Sequence, residues 1–166
     1  MQGHGLIFLT GHCSISEVLM RAKPQDPGFD ARVRNNFGEQ TVMHTIGARL
    51  THLEAGRAEI EMPTRDDLAQ QNGYVHAGIV TTILDSGCGY AALSMWPAGS
   101  GVLSVEFKVN LLAPAKGEMI RVRAEVKRSG KRLTVCTADA FAVDGDKETI
   151  CATMLATMIC IEAKRS

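Results

Sequence analysis

Hydrophobic and polar residues alternate through most of the second half of the chain. Between residues 104 and 111, apolar side chains occupy every second position and polar or charged side chains occupy the positions between them. Three further segments alternate or nearly alternate, and Gly-containing turn sequences separate them: 120–127, 133–143 and 150–161. Alternation with a period of two is typical of strands with one buried face, so this half predicts four antiparallel strands.

The first half predicts two helices and a hairpin. Apolar residues at loose helical spacing indicate a helix over Phe29–Met43, and two alternating segments, Ile46–Leu53 and Arg57–Met62, flank the turn at residues 54–56. The apolar stretch Val75–Trp96 is too long for a strand and predicts a helix buried on most of its surface. This order of elements is that of an α+β domain, in which one long helix lies across an antiparallel sheet.

Composition places the chain among soluble globular proteins. It has 166 residues, of which 45% are hydrophobic and 22% are charged, and 18 basic residues balance 18 acidic ones. We therefore expect no nucleic-acid or membrane partner, and no apolar run reaches the 18 residues of a membrane span. Residues 29–166 are interpreted as a single domain and residues 1–28 as an N-terminal extension without an assigned function.

Cysteine and histidine spacing argues against disulfides and against a metal site. The five cysteines form no C-x-x-C pair, so we expect reduced, mostly buried thiols and a cytoplasmic location. The five histidines include no pair at i and i+4 of the metal-binding type. Cys88 lies three residues after Asp85, but apolar surroundings raise the pKa of a thiol, so a cysteine nucleophile is rejected.

Asp85 is the first candidate for chemistry, because it lies inside the apolar stretch of the long helix. A carboxylate in such a place is costly to bury unless it is paired or hydrogen-bonded, and no Lys or Arg lies within one helical turn of it. Carboxylates of this kind occur at functional sites as general bases. The alternative is a structural carboxylate that accepts hydrogen bonds from the backbone or from nearby hydroxyls.

The start of the long helix is the second candidate. The sequence Tyr74-Val75-His76-Ala77-Gly78 places small residues where the first backbone N–H groups of a helix have no intrahelical acceptor. Such N–H groups, aided by the helix dipole, can stabilise the negative charge that develops on an oxygen during acyl transfer. The alternative for His76 is a purely structural hydrogen bond.

The spacing of these two candidates predicts a dimer. His76 and Asp85 are nine residues apart, which is about 13–14 Å along a continuous helix and roughly half a turn around it. One helix therefore cannot bring both groups to one reacting atom, whereas a second copy packed alongside can. Gly87 and Gly89 would suit close packing of the helix against another backbone.

Several motifs together resemble the hotdog-fold acyl-CoA thioesterases, in particular the PaaI-like subgroup of the phenylacetate pathway. They cover residues ~40–161 and are Gln70-x-x-Gly73-x-x-His76-Ala77-Gly78, Leu84-Asp85, Ser104-Val105-Glu106-Phe107 and Pro114-Ala115. The resemblance implies a hotdog fold, in which an antiparallel sheet of about six strands wraps around one central helix, here with an additional N-terminal helix.

The resemblance also implies a role for each matching residue. Asp85 corresponds to the catalytic carboxylate, acting as a general base on water or as a nucleophile. The Ala77 N–H, with Gly78 beside it, corresponds to the donor that polarises the thioester carbonyl, although many relatives have glycine at the position of Ala77. Gln70 corresponds to an amide that faces the carbonyl oxygen, and His76 corresponds to a residue near the leaving sulfur. Ser104 corresponds to a hydroxyl that helps to position the water.

Four cations surround one predicted turn, from Lys127 to Arg132. Such a run is usually a solvated turn. In the family that the sequence resembles, the nucleotide end of coenzyme A often reaches basic residues near this hairpin. Gly130, Lys131 and Arg132 are therefore candidate coenzyme A ligands, since phosphates are bound well by Arg and by open backbone.

The function expected from these observations is hydrolysis of an acyl-CoA thioester, with an aromatic or medium-chain acyl group, to a free acid and coenzyme A. No metal or separate cofactor is expected, because coenzyme A is part of the substrate. The alternatives are a hotdog hydratase or dehydratase and a non-catalytic acyl-CoA-binding protein. The resemblance further implies that the homodimers associate into a homotetramer.

Overall fold

The computed structural model of the protein describes residues 23–162, which form three α-helices, one short 3-10 helix (Asp66–Leu68) and six strands. The helices are α1 (Phe29–Glu39), α2 (Thr41–Ile46) and α3 (Ala77–Leu93). The strands are β1 (Arg49–Glu54), β2 (Arg57–Pro63), β3 (Ser100–Leu111), β4 (Met119–Ser129), β5 (Leu133–Asp144) and β6 (Lys147–Glu162). Residues 1–22 of the predicted N-terminal extension lie outside the described residues.

The six strands form one sheet in the order β1-β2-β4-β5-β6-β3, and all paired neighbours are antiparallel. Helix α3 packs across one face of this sheet and contacts β2 to β6. The predicted α+β arrangement around one long helix is confirmed. Among residues 23–162, no helix is long and apolar enough to cross a membrane.

The core lies between α3 and the sheet. Its α3 side includes Ile83, Leu84 and Cys88, which are all fully buried. Gly87 faces β4, where an added Cβ would lie 3.0 Å from Cγ1 of Val122 and 3.2 Å from Cβ of Ala124. The close packing expected of Gly87 is therefore against side chains of its own sheet and not against a second backbone.

The predicted helix over Phe29–Met43 is wrong in extent, because the chain forms two helices there. Gln40 separates α1 from α2 with an extended backbone (φ −79°, ψ 95°). Gly47 then ends α2 in the left-handed region at φ 72°, so β1 begins at Arg49 and not at the predicted Ile46. Apolar periodicity continues through both helices, which is why the pattern indicated one helix.

A β-bulge in β3 changes which face of the sheet Ser104 occupies. Strict alternation predicted that Ser104 shares a face with Glu106, but Val105 is an extra residue between the pairs Ser104↔Met158 and Glu106↔Thr157. Ser104 consequently shares the helix-facing side with the buried Met158, and its hydroxyl lies 3.5 Å from the Met158 sulfur. The bulge thus directs this hydroxyl toward α3.

Candidate active site

Asp85 and Ser104 meet in the cleft between α3 and the beginning of β3. The Ser104 hydroxyl donates a hydrogen bond of 2.6 Å to Oδ1 of Asp85. No other donor within residues 23–162 reaches this carboxylate, so Oδ2 is available to another molecule. The contact fits both a structural and a catalytic carboxylate, and it brings together two of the predicted site residues.

A pocket of about 220 Å³ opens beside this pair. Its lining combines polar groups of α3 and of the α1–α2 junction with apolar residues of β3: Gln40, Asp85, Ser86, Gly89, Tyr90, Val102, Leu103 and Ser104. This volume lies below the usual range for sites that enclose a whole drug-sized ligand. The pocket therefore has room for one portion of a larger molecule.

The start of α3 is capped by its own histidine. His76 is the N-cap residue, and its Nδ1 accepts a 2.9 Å hydrogen bond from the Gly78 N–H, so the ring proton is on Nε2. A side chain at residue 78 would crowd this cap, because a Cβ there would lie 3.1 Å from Nδ1. His76 therefore makes the structural hydrogen bond that was considered for it. Gly78 donates the N–H of this bond and leaves room for the imidazole ring.

The N–H of Ala77 is left free by this cap. Within residues 23–162 no acceptor receives it, whereas the N–H groups of its neighbours His76 and Gly78 are both used. Ala77 itself is only partly buried. A free N–H at the first turn of a 17-residue helix is a suitable donor to an anionic oxygen.

Gln70 lies in the turn that leads into α3. Its backbone N–H donates to the Tyr74 carbonyl at 2.8 Å, and its carbonyl accepts from the Gly73 N–H at 2.9 Å. Its side-chain oxygen accepts from the Asn72 N–H. The amide nitrogen of Gln70 has no partner within the described residues and is available as a donor at the same end of α3 as Ala77.

The two groups of candidate residues are not brought together within one chain. Helix α3 is continuous from Ala77 to Leu93, so Asp85 lies eight residues, or about 12 Å, from its first residue. The Asp85–Ser104 pair and the free donors at the helix start therefore belong to different regions of one subunit. This separation is the one that the spacing predicted.

The basic turn between β4 and β5 lies at the end of the sheet nearest the Asp85 pocket. The Arg132 carbonyl accepts a 2.7 Å hydrogen bond from the Cys160 N–H, and Cys160 pairs with Val102 of the pocket wall. Lys131 and Arg132 are exposed, and neither forms an ion pair within residues 23–162. Gly130 closes the turn through a 2.8 Å bond from its N–H to the Leu133 carbonyl.

The structure agrees with the rejection of a cysteine nucleophile. Burial is the main cause that raises the pKa of the Cys88 thiol far above its usual range, and the nearby Cys136 and Asp85 add to this effect. Cys88 on α3 is fully buried and forms no disulfide. Cys136 on β5 and Cys151 on β6 are likewise buried, free thiols. Among the described residues, no cluster of three or more His, Cys, Asp or Glu side chains has metal-site geometry.

Sequence reasoning missed Gln40, Ser86 and Tyr90 as site residues. The Tyr90 hydroxyl donates to Oε1 of Gln40 at 3.1 Å, and the Ser86 hydroxyl donates weakly to the same oxygen at 3.4 Å. The four-residue spacing between Ser86 and Tyr90 could have indicated that these two residues share one side of α3. Gln40 gave no signal, because only the break between α1 and α2 brings it to the pocket.

Comparison with known proteins identifies the family. The thioesterase superfamily model matches residues 72–149, which include α3 and most of the strands after it. The crystal structure of a thioesterase family protein from Silicibacter pomeroyi is 49% identical, covers 82% of this chain and 100% of its own, and superposes with a TM-score of 0.80. The chain belongs to the thioesterase superfamily, and the predicted hotdog fold is confirmed.

More distant relatives agree at the level of the fold and the general class. A protein from Saccharolobus solfataricus whose name contains the word esterase is 30% identical over 78% of this chain and 83% of its own. The PaaI protein of E. coli, from the phenylacetic acid degradation operon, is 15% identical with a TM-score of 0.74, covering 81% of this chain and 94% of its own. The superfamily match and the Saccharolobus relative support a hydrolase, and the PaaI protein agrees in fold.

Proposed function

We propose that this protein hydrolyses acyl-CoA thioesters to a free acid and coenzyme A, at sites shared between the two subunits of a homodimer. The observation that carries the proposal is the arrangement of Asp85. Its Oδ1 is held by Ser104 at 2.6 Å, its Oδ2 has no partner within residues 23–162, and a pocket opens beside it. A 1,4-dihydroxy-2-naphthoyl-CoA hydrolase from Listeria monocytogenes, 23% identical over 57% of this chain and 76% of its own, supports the acyl-CoA class.

Asp85 acts in this proposal as the general base. The hydrogen bond from Ser104 orients the carboxylate, so that Oδ2 can accept a proton from a water molecule in the pocket. The water oxygen forms a bond to the thioester carbonyl carbon as its proton passes to Asp85. The Ser104 hydroxyl also lies where it can position that water.

The free donors at the start of the partner's α3 stabilise the resulting oxyanion. The Ala77 N–H and the side-chain NH₂ of Gln70 have no acceptors among the described residues of their own subunit. They can therefore donate to the carbonyl oxygen as it gains charge. Collapse of the tetrahedral intermediate breaks the C–S bond. The proton held by Asp85 then passes to the departing sulfur, which gives coenzyme A and the free acid.

The edge strand β3 supplies the dimer contact. It has 12 residues, and among the described strands it pairs only with β6. Its side chains Leu103, Val105, Phe107 and Leu111 are 45–57% exposed. A long apolar edge strand left open in water would promote association. Two copies that pair through β3 around a two-fold axis place their α3 helices side by side, so that each Asp85 can face the partner's helix start.

The β4–β5 turn fits the phosphate end of the substrate. Lys131 and Arg132 are exposed cations without ion-pair partners among the described residues, and this turn lies at the same end of the sheet as the pocket wall at Val102. The acyl portion would occupy the pocket and the nucleotide would remain outside it. The association of two dimers into a tetramer stays a prediction.

The proposal is tested by substituting Asp85 with its uncharged isostere. Asp85→Asn removes the base while keeping the side-chain volume, so we expect kcat to fall by about 100-fold or more, since a positioned base contributes roughly 10²–10⁴-fold. Release of free thiol from a panel of aromatic and medium-chain acyl-CoAs is the measurement. Asp144→Asn, at the exposed β5–β6 turn, is the matched control.

The same panel separates the alternatives. A folded Asp85→Asn protein that keeps wild-type turnover on every substrate would contradict the proposal. Tight coenzyme A binding by the wild-type protein without cleavage of any thioester would favour a binding protein. Conversion of an enoyl-CoA to its hydrated product without thiol release would favour a hydratase.

A further inference from the structure

The floor of the pocket consists of two adjacent side-chain rows of α3. Asp85 and Gly89 form one row at i and i+4, and Ser86 and Tyr90 form the next. Residue 89 carries no side chain, so the pocket extends along the helix from the Asp85 carboxylate toward Tyr90. This path covers about 7.5 Å of helix rise, which is a distance suited to one aromatic ring or a short chain.

The far end of this path is polar. Gln40, from the junction between α1 and α2, is held by the Tyr90 hydroxyl at 3.1 Å and by the Ser86 hydroxyl at 3.4 Å. Both hydroxyls donate to Oε1, which fixes the orientation of the amide. Its Nε2 donates to no group within residues 23–162, so its two N–H bonds are available to a molecule in the pocket.

The residues that hold Gln40 are themselves well fixed. Tyr90 is 5% exposed and Ser86 is 6% exposed, and the Tyr90 ring packs against Phe37 of α1 with a centroid distance of 5.3 Å. Burial, together with the negative charge of Glu39, raises the pKa of Tyr90 to about 12. The phenol therefore stays protonated and keeps donating to Gln40 at any pH at which a thioester would be assayed.

The wall of the path that β3 forms is apolar, apart from the Ser104 hydroxyl. Val102 and Leu103 of β3 line it, and an added Cβ at Gly89 would lie 3.9 Å from the nearest Val102 atom. A pocket that has an apolar wall at Val102 and Leu103 and the N–H donors of Gln40 beside Tyr90 matches a molecule that carries both kinds of surface. Such a molecule has a hydrocarbon body and an acceptor oxygen at its far end.

We infer that Gln40 is a specificity-determining residue that selects acyl groups carrying a hydroxyl or carbonyl oxygen at the end remote from the thioester. The inference rests on the proposed function and narrows its substrate class. Gln40 binds the oxygen through Nε2, while Tyr90 and Ser86 hold the amide in place. An acyl group without that oxygen leaves the Gln40 N–H groups unpaired in the pocket, which disfavours its binding.

A matched pair of thioesters tests the inference. 4-Hydroxybenzoyl-CoA and benzoyl-CoA differ by one hydroxyl, and we expect the wild-type protein to favour the hydroxylated member by about tenfold or more in kcat/KM. Gln40→Met keeps the length of the side chain and removes its donors. We expect it to bring the ratio of the two kcat/KM values close to one, mainly by lowering the value for 4-hydroxybenzoyl-CoA.

Two further variants sharpen the test. Tyr90→Phe keeps the ring that packs on Phe37 but releases Gln40, so it is expected to reduce the preference without abolishing it. Gln25→Met, the same substitution at an exposed residue that does not line the pocket, is expected to keep the wild-type ratio. Equal kcat/KM values for the two thioesters in the wild-type protein, or an unchanged preference in Gln40→Met, would overturn the inference.

Binding separates this inference from the proposed function. The Asp85→Asn protein can be titrated with both thioesters by calorimetry whether or not the wild-type protein cleaves them. Tighter binding of the hydroxylated member, lost in the double variant with Gln40→Met, supports the inference even if hydrolysis is absent. Equal dissociation constants overturn it even if the protein is an efficient thioesterase.

Discussion

The backbone N–H of Ala77 can be removed by a substitution that leaves the rest of the site unchanged. It is the first residue of α3, where an N–H has no intrahelical acceptor and where proline is well tolerated. The preceding His76 has φ −60° and ψ 137°, which is the extended conformation that a residue before proline prefers. Proline can therefore replace Ala77 while α3 keeps its start.

We predict that Ala77→Pro lowers kcat by about 10²–10³-fold, because it removes one oxyanion donor. Thermal unfolding should change little, since the lost N–H bonds to no group within the described residues. Steady-state kinetics on the best acyl-CoA, with a melting curve of the same sample, are the measurement. Ala77→Gly, which keeps the N–H, is the control and should retain near-wild-type kcat.

An Ala77→Pro protein that is folded and fully active would show that this N–H does not contact the reacting carbonyl. A loss of activity shared equally by Ala77→Gly would instead point to the methyl group of Ala77 and to packing.

The sequence indicated Asp85 and Ser104 as candidates but not the residues that surround them. Asp85 stood out as an acid in an apolar helix, and the motif resemblance added Ser104, which the structure places 2.6 Å from it. Alternation alone put Ser104 on the wrong face, because a bulge at Val105 cannot be read from a period of two. Gln40 was beyond prediction, since a tertiary contact and not a local pattern brings it to the pocket.

At the scale of one element, α3 contains two glycines with different surroundings. An added Cβ at Gly87 would lie 3.0 Å from Val122 and 3.2 Å from Ala124, which is closer than ordinary packing allows. An added Cβ at Gly89 would find its nearest neighbour, Val102, at 3.9 Å. Both positions are helical, so alanine brings the same gain in helix propensity to each.

We predict that Gly87→Ala is less stable than Gly89→Ala by about 1–3 kcal/mol in the free energy of unfolding, which is the usual cost of overpacking a core. Because the propensity gain is common to both variants, their difference isolates the contact with β4. Urea denaturation of the two proteins at equal concentration is the measurement. Equal midpoints and slopes would contradict the described packing of α3 on the sheet.

The elements themselves were largely predictable. All six strands were indicated by alternation, because each has one face on the core and one outside, and the long helix was indicated by a run too long for a strand. Their ends were less accurate: β6 begins at Lys147 and not at Ile150, since cross-strand pairing with β5 extends past the apolar residues. The break at Gln40 was missed because apolar spacing continues across it.

In the whole molecule, we propose that Asp85 and Ala77 act on one substrate from different subunits. About 12 Å of continuous helix between them and the apolar edge strand β3 support this arrangement. The spacing of His76 and Asp85 alone led to the prediction of a second copy, which stays a prediction. It could not indicate the surface of contact, because the exposed side chains of β3 alternate like those of any other strand.

Complementation between two inactive proteins shows whether Asp85 and Ala77 act from different subunits. Asp85→Asn and Ala77→Pro subunits are unfolded together, refolded at equal amounts and assayed for acyl-CoA hydrolysis. In a mixed dimer with shared sites, one site carries both substitutions and the other carries neither. Since about half of the dimers are mixed, we predict recovery of roughly one quarter of wild-type activity from two nearly inactive parents. A mixture that stays as inactive as its parents, with mixed dimers shown to be present, would mean that each site lies within one chain and would contradict the account.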